Sequence, residues 1–167
     1  SSRVLQFAPS IFGASSIDMY LPLLVGATVC IPSQHDLMNK LEDAMKRFEV
    51  TFACMTPSAV SNVNPTQVPG LRTLCLVGEP LGQTIRKRWE THLSLLSGYG
   101  LSEGVGIACI SSLTPSTHSR NIGVPPVARI WLAEPSNLQN LAPVGSIGEM
   151  MIQGPYVGHG YLDDPEK

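Results

Sequence analysis

Short apolar runs alternate with amphipathic stretches along roughly the first hundred residues of the chain. Apolar runs of four to seven residues predict buried strands, and apolar side chains spaced three or four positions apart predict helices. Strand and helix follow each other in steps of about 20 to 25 residues, which is typical of parallel β-α-β units. The predicted strands are Val4–Ala8, Thr28–Ile31, Thr51–Met55, Leu71–Val77 and Leu93–Leu96.

The first predicted helix lies between two of these strands. Ser15 or Ser16 is the expected N-cap, because a short hydroxyl side chain accepts hydrogen bonds from the first backbone N–H groups of a helix. Gly26 is the expected stop, and Pro22 falls in the first turns, where proline is best tolerated. Three further helices are expected: one capped by Asp36 and running to Phe48, one beginning at Pro57, and one over Leu81–His92.

The pattern changes after residue 105, where the predicted strands become short and the turns frequent. Strands over Gly106–Ser111, Arg129–Ala133 and Glu149–Gln153, with a turn-rich stretch over Glu134–Ser146, predict a smaller antiparallel region. The fold class is therefore α/β, with parallel β-α-β units over residues 1–105 and a mostly β region over residues 106–167. Because the sequence starts inside a strand-like run and stops without a closing element, we expect residues 1–167 to be one partial domain of a longer protein.

Composition narrows the functional classes. The chain has 167 residues, of which 43% are hydrophobic, enough for the core of one domain. Its net charge of −2 gives no electrostatic reason to expect nucleic acid or an acidic membrane surface as a partner. No apolar run reaches the roughly 18 residues that span a bilayer, and we expect a cytoplasmic protein without a secretory leader. The four cysteines are widely separated in apolar runs, which predicts buried, reduced thiols.

The most informative stretch is Ser97–Gly104, which follows the last apolar run of the parallel region. Glycines flank Tyr99 on both sides, and glycine at the end of a strand allows the backbone to approach a ligand closely. Ser102 and Glu103 supply a hydroxyl and a carboxylate, which are suited to contact a phosphate and its metal ion. A tight turn at the end of a core strand is the alternative interpretation.

Residues 100–104 also fit GxSxG, the nucleophile elbow of the α/β-hydrolases. Glu134 or Glu149, followed by His159, would complete a triad in the required order. The elbow must run directly into a helix, however, and a segment with glycine at both 104 and 106 is a poor helix start. The four histidines of the chain lack the spacing of a metal site. The hydrolase interpretation is therefore the weaker one.

Several motifs, in order, resemble those of the adenylation domains of nonribosomal peptide synthetases, within the superfamily of acyl-CoA ligases and luciferase. The resemblance covers essentially the whole chain and is more specific than GxSxG alone. Residues 12–15 resemble the F-D-x-S motif, residues 74–81 the strand that ends in G-G-E-x-L, and residues 98–103 the N-x-Y-G-P-T-E motif. Residues 148–150 and 160–162 resemble parts of G-E-L…G-x-x-V-A-R-G-Y-L, and residues 121–125 are similar to the fungal branch.

The sequence departs from these motifs at a few positions. Leu101 stands in place of the family's proline, Ser102 in place of threonine, and His159 in place of arginine. Ser102 retains the hydroxyl. The family's phosphate loop and its C-terminal subdomain, which carries a catalytic lysine, are expected outside residues 1–167. The resemblance thus implies the middle of an adenylation domain.

The resemblance implies that ATP and Mg²⁺ are cofactors and that the activity is acyl-adenylate formation. In the family, the carboxylate of an acid attacks the α-phosphate of ATP and releases pyrophosphate, and the acyl group then passes to the phosphopantetheine thiol of a carrier domain. Ser102 would contact the α-phosphate and Glu103 would ligate Mg²⁺, which makes these two the implied catalytic residues. The implied nucleotide-binding residues are Gly78, Glu79, Pro80, Gly98, Tyr99, Gly100 and Ser102, with Tyr99 against the adenine.

The family's specificity pocket corresponds to nine positions here, none of them charged. Gly13 stands where members that activate α-amino acids have an aspartate for the substrate ammonium. Because an ammonium buried without a partner is costly, the acid is expected to lack an α-ammonium. In fungal relatives glycine at this position accompanies anthranilate, so an aryl acid such as anthranilate is the first hypothesis and an α-hydroxy or α-keto acid the second. The nine positions are Gly13, Ala14, Ile17, Cys54, Cys75, Val77, Gly98, Gly106 and Ile107.

Two other interpretations stay open within the superfamily. One is an acyl-CoA ligase, and the other is a degenerate adenylation domain without activity, which Leu101 and His159 would permit. The expected partners are a small carboxylic acid and the carrier and condensation domains of the same synthetase. These 167 residues alone are expected to be inactive, because half of the phosphate site is absent from them.

Overall fold

The structure is a computed structural model that describes residues 1–104, 106–118 and 120–164. The larger of its two sheets has six strands: β1 Arg3–Leu5, β2 Thr28–Cys30, β3 Phe52–Met55, β4 Thr73–Leu76, β5 Ser94–Tyr99 and β6 Cys109–Ser112. Their order across the sheet is β2-β1-β3-β4-β5-β6, in which β1 to β5 are parallel and β6 is antiparallel to β5. The predicted α/β fold with a parallel sheet is confirmed.

Helices connect the parallel strands: α1 Ala14–Leu24, α2 Gln34–Asn39, α3 Leu41–Arg47, α4 Pro57–Val60 and α5 Gln83–Trp89. Helix α1 begins earlier than predicted, because Gly13 rather than Ser15 or Ser16 is its N-cap. Pro22 consequently lies near the end of α1 and not in its first turns. None of the described helices is long and apolar enough to span a membrane.

The single helix predicted from Asp36 to Phe48 is in fact two. Ser33, not Asp36, caps α2, since the Ser33 hydroxyl accepts a hydrogen bond from the backbone N–H of Asp36 at 3.1 Å. Lys40 separates α2 from α3 with backbone angles of φ −142° and ψ 40°, outside the helical region. The apolar spacing continues across this break, so the spacing alone predicts one helix.

The smaller sheet is antiparallel and has three strands: β7 Arg129–Glu134, β8 Asn137–Leu141 and β9 Glu149–Gln153, in the order β8-β7-β9. The predicted antiparallel region is confirmed. Strand β8 lies in the stretch predicted to consist of turns. The sequence does not predict this strand, because all of its residues are exposed and it lacks apolar alternation. The boundary expected at residue 105 does not separate the two sheets. Strand β6 follows that residue but pairs with β5 at the edge of the larger sheet.

The main core lies on one face of the larger sheet. Side chains at alternate strand positions, including Ala53, Met55, Leu74 and Leu76, pack there with Trp89 of α5. Because successive strand residues point to opposite faces, Cys54 and Cys75 lie on the other face, which α1 covers. The chain therefore places aliphatic side chains on one side of β3 and β4 and thiols on the other.

The strand order determines where a ligand is expected. The chain passes from β1 outward to β2 and then back to β3 on the other side of β1, so the order reverses between β1 and β3. In open α/β sheets, ligands bind beyond the carboxyl ends of the strands near such a reversal. The loops that follow β1, β3, β4 and β5 all lie at this edge.

Candidate functional site

A groove of about 480 Å³ opens beyond the carboxyl ends of β4 and β5. On one side it is lined by Gly78, Glu79, Pro80 and Leu81, and on the other by residues 97–100 at the end of β5. Residues 120–122 complete it. The structure thus brings together the predicted nucleotide-binding residues Gly78, Glu79, Pro80, Gly98, Tyr99 and Gly100 in one groove.

Two glycines of this groove are required by the way the chain folds back after β5. A side chain at Gly100 would overlap with the carbonyl group of Gly106, because a Cβ there would lie 2.8 Å from the carbonyl carbon. A Cβ at Gly98 would lie 2.9 Å from Val77 Cγ1 and 3.0 Å from Ile107 Cδ1. The returning segment is held by the backbone N–H of Ala108, which donates to the Tyr99 carbonyl at 2.7 Å. These glycines therefore serve the packing of β5 as well as the approach of a ligand.

A second cavity of about 240 Å³ adjoins the groove and shares Gly78 and Gly100 with it. The start of α1 supplies Gly13 and Ala14, and the segment after β5 supplies Ser102. Five of the predicted acid-binding residues line this cavity: Gly13, Ala14, Val77, Gly106 and Ile107. The predicted α-phosphate contact and the predicted acid pocket therefore lie in one space.

The remaining predicted acid-binding residues lie beneath this cavity or beside it. Ile17 Cδ1 would be 3.7 Å from a Cβ at Gly106, so Ile17 packs under that wall. Cys54 and Cys75 are each only 2% exposed and pair in register on neighbouring strands. The hydrogen bond with Cys75 and burial raise the pKa of the Cys54 thiol above its usual value, so Cys54 is a neutral thiol. These cysteines support the pocket from below and do not line its surface.

Glu103 is exposed in a 3₁₀ turn over Ser102–Gly104. Its carboxylate accepts a hydrogen bond from the Tyr161 hydroxyl, and this bond lowers the pKa of Glu103 below its usual value. The backbone N–H of Gly158 donates to the Glu103 carbonyl at 2.7 Å. The loop after β9 thus holds the turn in place, and Glu103 presents an ionised carboxylate next to Ser102 in the chain.

Glu79 lines the groove and also connects it to helix α4. Its carboxylate accepts hydrogen bonds from the N–H of Ser58 at 3.0 Å and from the Ser58 hydroxyl at 2.6 Å. These bonds lower the pKa of Glu79 and tie the loop after β4 to the start of α4. Gly78 has φ +80°, a conformation that favours glycine, and it allows the chain to turn at this point.

Eight described residues that line or support the site were not among the site residues predicted from the sequence. In the loop at 120–122, residues 121 and 122 were noted only for their similarity to the fungal branch, without a role in the site. Asn121 caps this loop by accepting the N–H of Gly123 at 2.7 Å. The signal available in the sequence was the N-x-G spacing, since Gly123 has φ +84°. The residues are Phe12, Leu81, Ser97, Leu101, Arg120, Asn121, Ile122 and Tyr161.

The described residues contain no group of three or more histidine, cysteine or acidic side chains that could hold a metal ion. A metal ion at this site would therefore need ligands from a bound molecule in addition to Glu103. Magnesium is commonly held in this way, by one or two carboxylates together with phosphate oxygens.

Comparison with known proteins agrees with this geometry. A family model described as AMP-binding enzyme matches residues 1–162. The nonribosomal peptide synthetase fmqA of Aspergillus fumigatus is 41% identical over 168 residues, which cover 100% of this chain and 4% of that protein. The chain therefore spans a small part of the length of such relatives.

Two solved structures have the same fold. The nonribosomal peptide synthetase FmoA3 in its AMPPNP-bound form superposes with a TM-score of 0.85 at 22% identity and covers 99% of this chain and 19% of that chain. The N-terminal subdomain of Klebsiella oxytoca NpsA, in complex with 3-hydroxyanthranilyl-AMSN, superposes with a TM-score of 0.82 at 22% identity. That alignment covers 99% of this chain and 43% of the NpsA chain.

Proposed function

The chain belongs to the family of AMP-binding enzymes, and on that premise we propose that the longer protein activates a carboxylic acid with ATP. The acid carboxylate attacks the α-phosphate, the bond to the pyrophosphate leaving group breaks, and an acyl-adenylate and pyrophosphate result. The acyl group then passes to a thiol on a carrier domain, as in a nonribosomal peptide synthetase. Such chemistry requires little covalent participation by the protein, so positioning and charge neutralisation dominate.

The observation that carries the proposal is the pair of adjoining cavities. The groove beyond β4 and β5 is lined by both polar and apolar residues, and the second cavity shares Gly78 and Gly100 with it. Ser102 lies in the second cavity together with Gly13. A nucleotide in the groove would therefore direct its α-phosphate toward the space in which an acid binds, which is the arrangement that adenylate formation needs.

The residues near Ser102 fit a magnesium ion. Glu103 is exposed, its pKa is lowered, and it offers the hard oxygen ligand that Mg²⁺ prefers. When bound, the ion would neutralise charge on the phosphates of ATP. The protein's own contribution is to hold the carboxylate of Glu103 through Tyr161 and to keep the Ser102 hydroxyl in the cavity.

The acid cavity favours an aryl acid that has no α-ammonium group, such as anthranilate. None of the described residues that line it is charged, and Gly13 at the N-cap of α1 supplies no charge at the position where the family has an aspartate. The NpsA subdomain, which has the same fold, is in complex with a 3-hydroxyanthranilyl compound, so a fold of this kind accommodates an aryl acid. An α-hydroxy or α-keto acid is the second candidate, because it too lacks an α-ammonium.

Pyrophosphate exchange with the full-length protein tests the proposal. The panel contains anthranilate, a hydroxy acid, a keto acid and several ordinary α-amino acids, each with ATP and Mg²⁺. We expect anthranilate to give the highest exchange rate and the α-amino acids to give at most background. Strong exchange with α-amino acids and none with anthranilate would overturn the substrate assignment. No exchange with any acid would favour the degenerate domain.

The proposal also assigns tasks to the rest of the protein. A phosphate loop and a C-terminal subdomain with a catalytic lysine would complete the ATP site. A carrier domain with phosphopantetheine would accept the acyl group, and a condensation domain would consume it. The relative fmqA, of which this chain covers 4%, is long enough for such additional domains.

A further inference from the structure

Asp18 of α1 is a carboxylate that the chemistry proposed above does not use. It is fully buried, with 0% of its surface exposed. Its Oδ2 accepts two backbone hydrogen bonds, from the N–H of Phe7 at 3.0 Å and from the N–H of Ala8 at 2.9 Å. Its Oδ1 has no hydrogen-bond partner among the described residues. Burial of a carboxylate is costly unless a partner compensates for it, so the presence of Asp18 here calls for a specific task.

The two hydrogen bonds close the loop between β1 and α1. Phe7 and Ala8 lie where the chain leaves β1, and Asp18 lies in the second turn of the helix that follows the loop. The N–H of Gln6 donates to the Cys30 carbonyl of β2 at 2.9 Å, and the remaining hydrogen bonds of the described loop residues are local, such as that from the N–H of Phe12 to the Pro9 carbonyl at 3.0 Å. The helix start itself has no side-chain cap, because its N-cap is Gly13. Among the described residues, Asp18 therefore supplies the side-chain hydrogen bonds that connect α1 to the end of β1.

The start of α1 forms one side of the proposed acid cavity and none of the nucleotide groove. Gly13 and Ala14 line the cavity, and Ile17 packs beneath it against Gly106. The groove that we assign to the nucleotide is lined by the loop after β4, the end of β5 and residues 120–122, without any residue of α1. A displacement of the start of α1 would therefore change the acid cavity and leave the nucleotide groove intact.

Asp18 also interacts electrostatically with two side chains beneath the same cavity. These are the thiols of Cys54 and Cys75, which are hydrogen-bonded to each other. These cysteines lie on β3 and β4 beneath the cavity. Asp18 thus lies between the backbone that leads into the cavity wall and the strands that support it.

We propose that Asp18 is a positioning residue that sets the width of the acid cavity by hydrogen-bonding the end of β1 to α1. It acts through Gly13 and Ala14 and does not touch the acid. The task rests on the hydrogen-bond acceptor and not on the negative charge. The inference rests on the proposed function, because it assumes that the cavity at Gly13 holds the acid.

Substitutions of Asp18 in the full-length protein test this inference by pyrophosphate exchange. Asp18→Ala removes the acceptor for both N–H groups, so we expect the KM for the acid to rise about tenfold or more while the KM for ATP changes less than about twofold. Asp18→Asn can place its amide oxygen where Oδ2 lies, so it should restore a nearly normal KM for the acid. Asp43→Asn, which changes an exposed aspartate on α3, is the matched control and should leave both KM values unchanged.

The outcomes separate the inference from its alternatives. Equal KM increases in Asp18→Ala and Asp18→Asn would show that the charge matters and would overturn the inference. A lower yield or melting temperature with an unchanged KM for the acid would also overturn it, since the role would then be structural only. If Asp18→Ala does not fold, Asp18→Glu replaces it. The longer side chain of glutamate should displace the start of α1, and an unchanged KM for the acid would again overturn the inference.

The same assay distinguishes failure of the inference from failure of the proposed function. If none of the tested acids supported pyrophosphate exchange by the unaltered enzyme, the proposed function and the inference would both be overturned. An active unaltered enzyme whose Asp18→Ala variant has a normal KM for the acid would overturn only the inference.

Discussion

Position 13 should decide the charge of the proposed acid cavity. Gly13 has φ −56° and ψ −28°, which any residue can adopt, so an aspartate fits the backbone there. In Gly13→Asp a carboxylate would face the carboxylate of the bound acid, and like charges in one cavity repel. We expect kcat/KM for anthranilate in pyrophosphate exchange to fall at least about tenfold and exchange with α-amino acids to rise above background.

Gly13→Ala separates the effect of charge from that of bulk at this position. Alanine adds one methyl group and no charge, so its kcat/KM for anthranilate should lie well above that of Gly13→Asp. Equal values for the two variants would show that space and not charge governs the position, and would remove the electrostatic basis of the substrate assignment.

At the scale of elements, the sequence predicts the parallel strands well and their surroundings less well. Runs such as Thr51–Met55 and Leu71–Val77 correspond to β3 and β4, because a strand in a covered parallel sheet must be apolar throughout. Strand β8 has no such signal, since all its side chains are exposed and its pairing with β7 provides the reason for its conformation. The break at Lys40 also lacks a signal in the apolar spacing.

The connection between β5 and β6 depends on Gly100. A Cβ at this position would overlap with the backbone of Gly106, and backbone cannot move aside as a flexible side chain can. We expect Gly100→Ala to lower the free energy of unfolding by about 1–3 kcal/mol or more and to reduce pyrophosphate exchange, because the segment that carries Ser102 must shift. Denaturant titration of the full-length protein and the exchange assay measure the two effects.

Gly82→Ala is the matched control for this substitution. A Cβ at Gly82 would have nothing within 4 Å, so the free energy of unfolding should stay within about 0.5 kcal/mol of the unaltered protein. If Gly100→Ala were as well tolerated as Gly82→Ala, the backbone of Gly106 could not pack against Gly100 as closely as described.

At the scale of the whole molecule, the sequence motifs predict which residues belong to the site but not how they meet. The predicted nucleotide-binding positions from Gly78 to Gly100 lie in one groove, and Ser102 and Gly13 share the cavity beside it. Arg120 and Tyr161 enter the site from distant parts of the chain. No quoted motif includes Arg120, and the motif at residues 160–162 does not indicate that Tyr161 contacts Glu103. Their placement results from tertiary packing of the antiparallel β6 and of the loop after β9.

Global stability should depend on pH through Asp18. Burial raises the pKa of Asp18 from 3.8 to about 6, against the opposing effect of the N–H groups of Ala8 and Phe7. Since the folded protein holds this proton more tightly than the unfolded chain, the contribution of Asp18 to stability is fully present only below about pH 3.8 and is lost as the pH rises through about 6. Asp18→Asn cannot ionise, so it lacks this dependence.

The difference between the two proteins isolates the contribution of Asp18, because the other titrating groups are common to both. We expect the free energy of unfolding of the unaltered protein, minus that of Asp18→Asn, to fall by about 1.4 kcal/mol between pH 5 and pH 8. Urea titrations of the full-length proteins at these pH values measure it. A difference that grows with pH would mean that the two backbone N–H groups outweigh burial. In that case the folded protein would stabilise Asp18 as an anion, and the negative charge of Asp18 would contribute to stability.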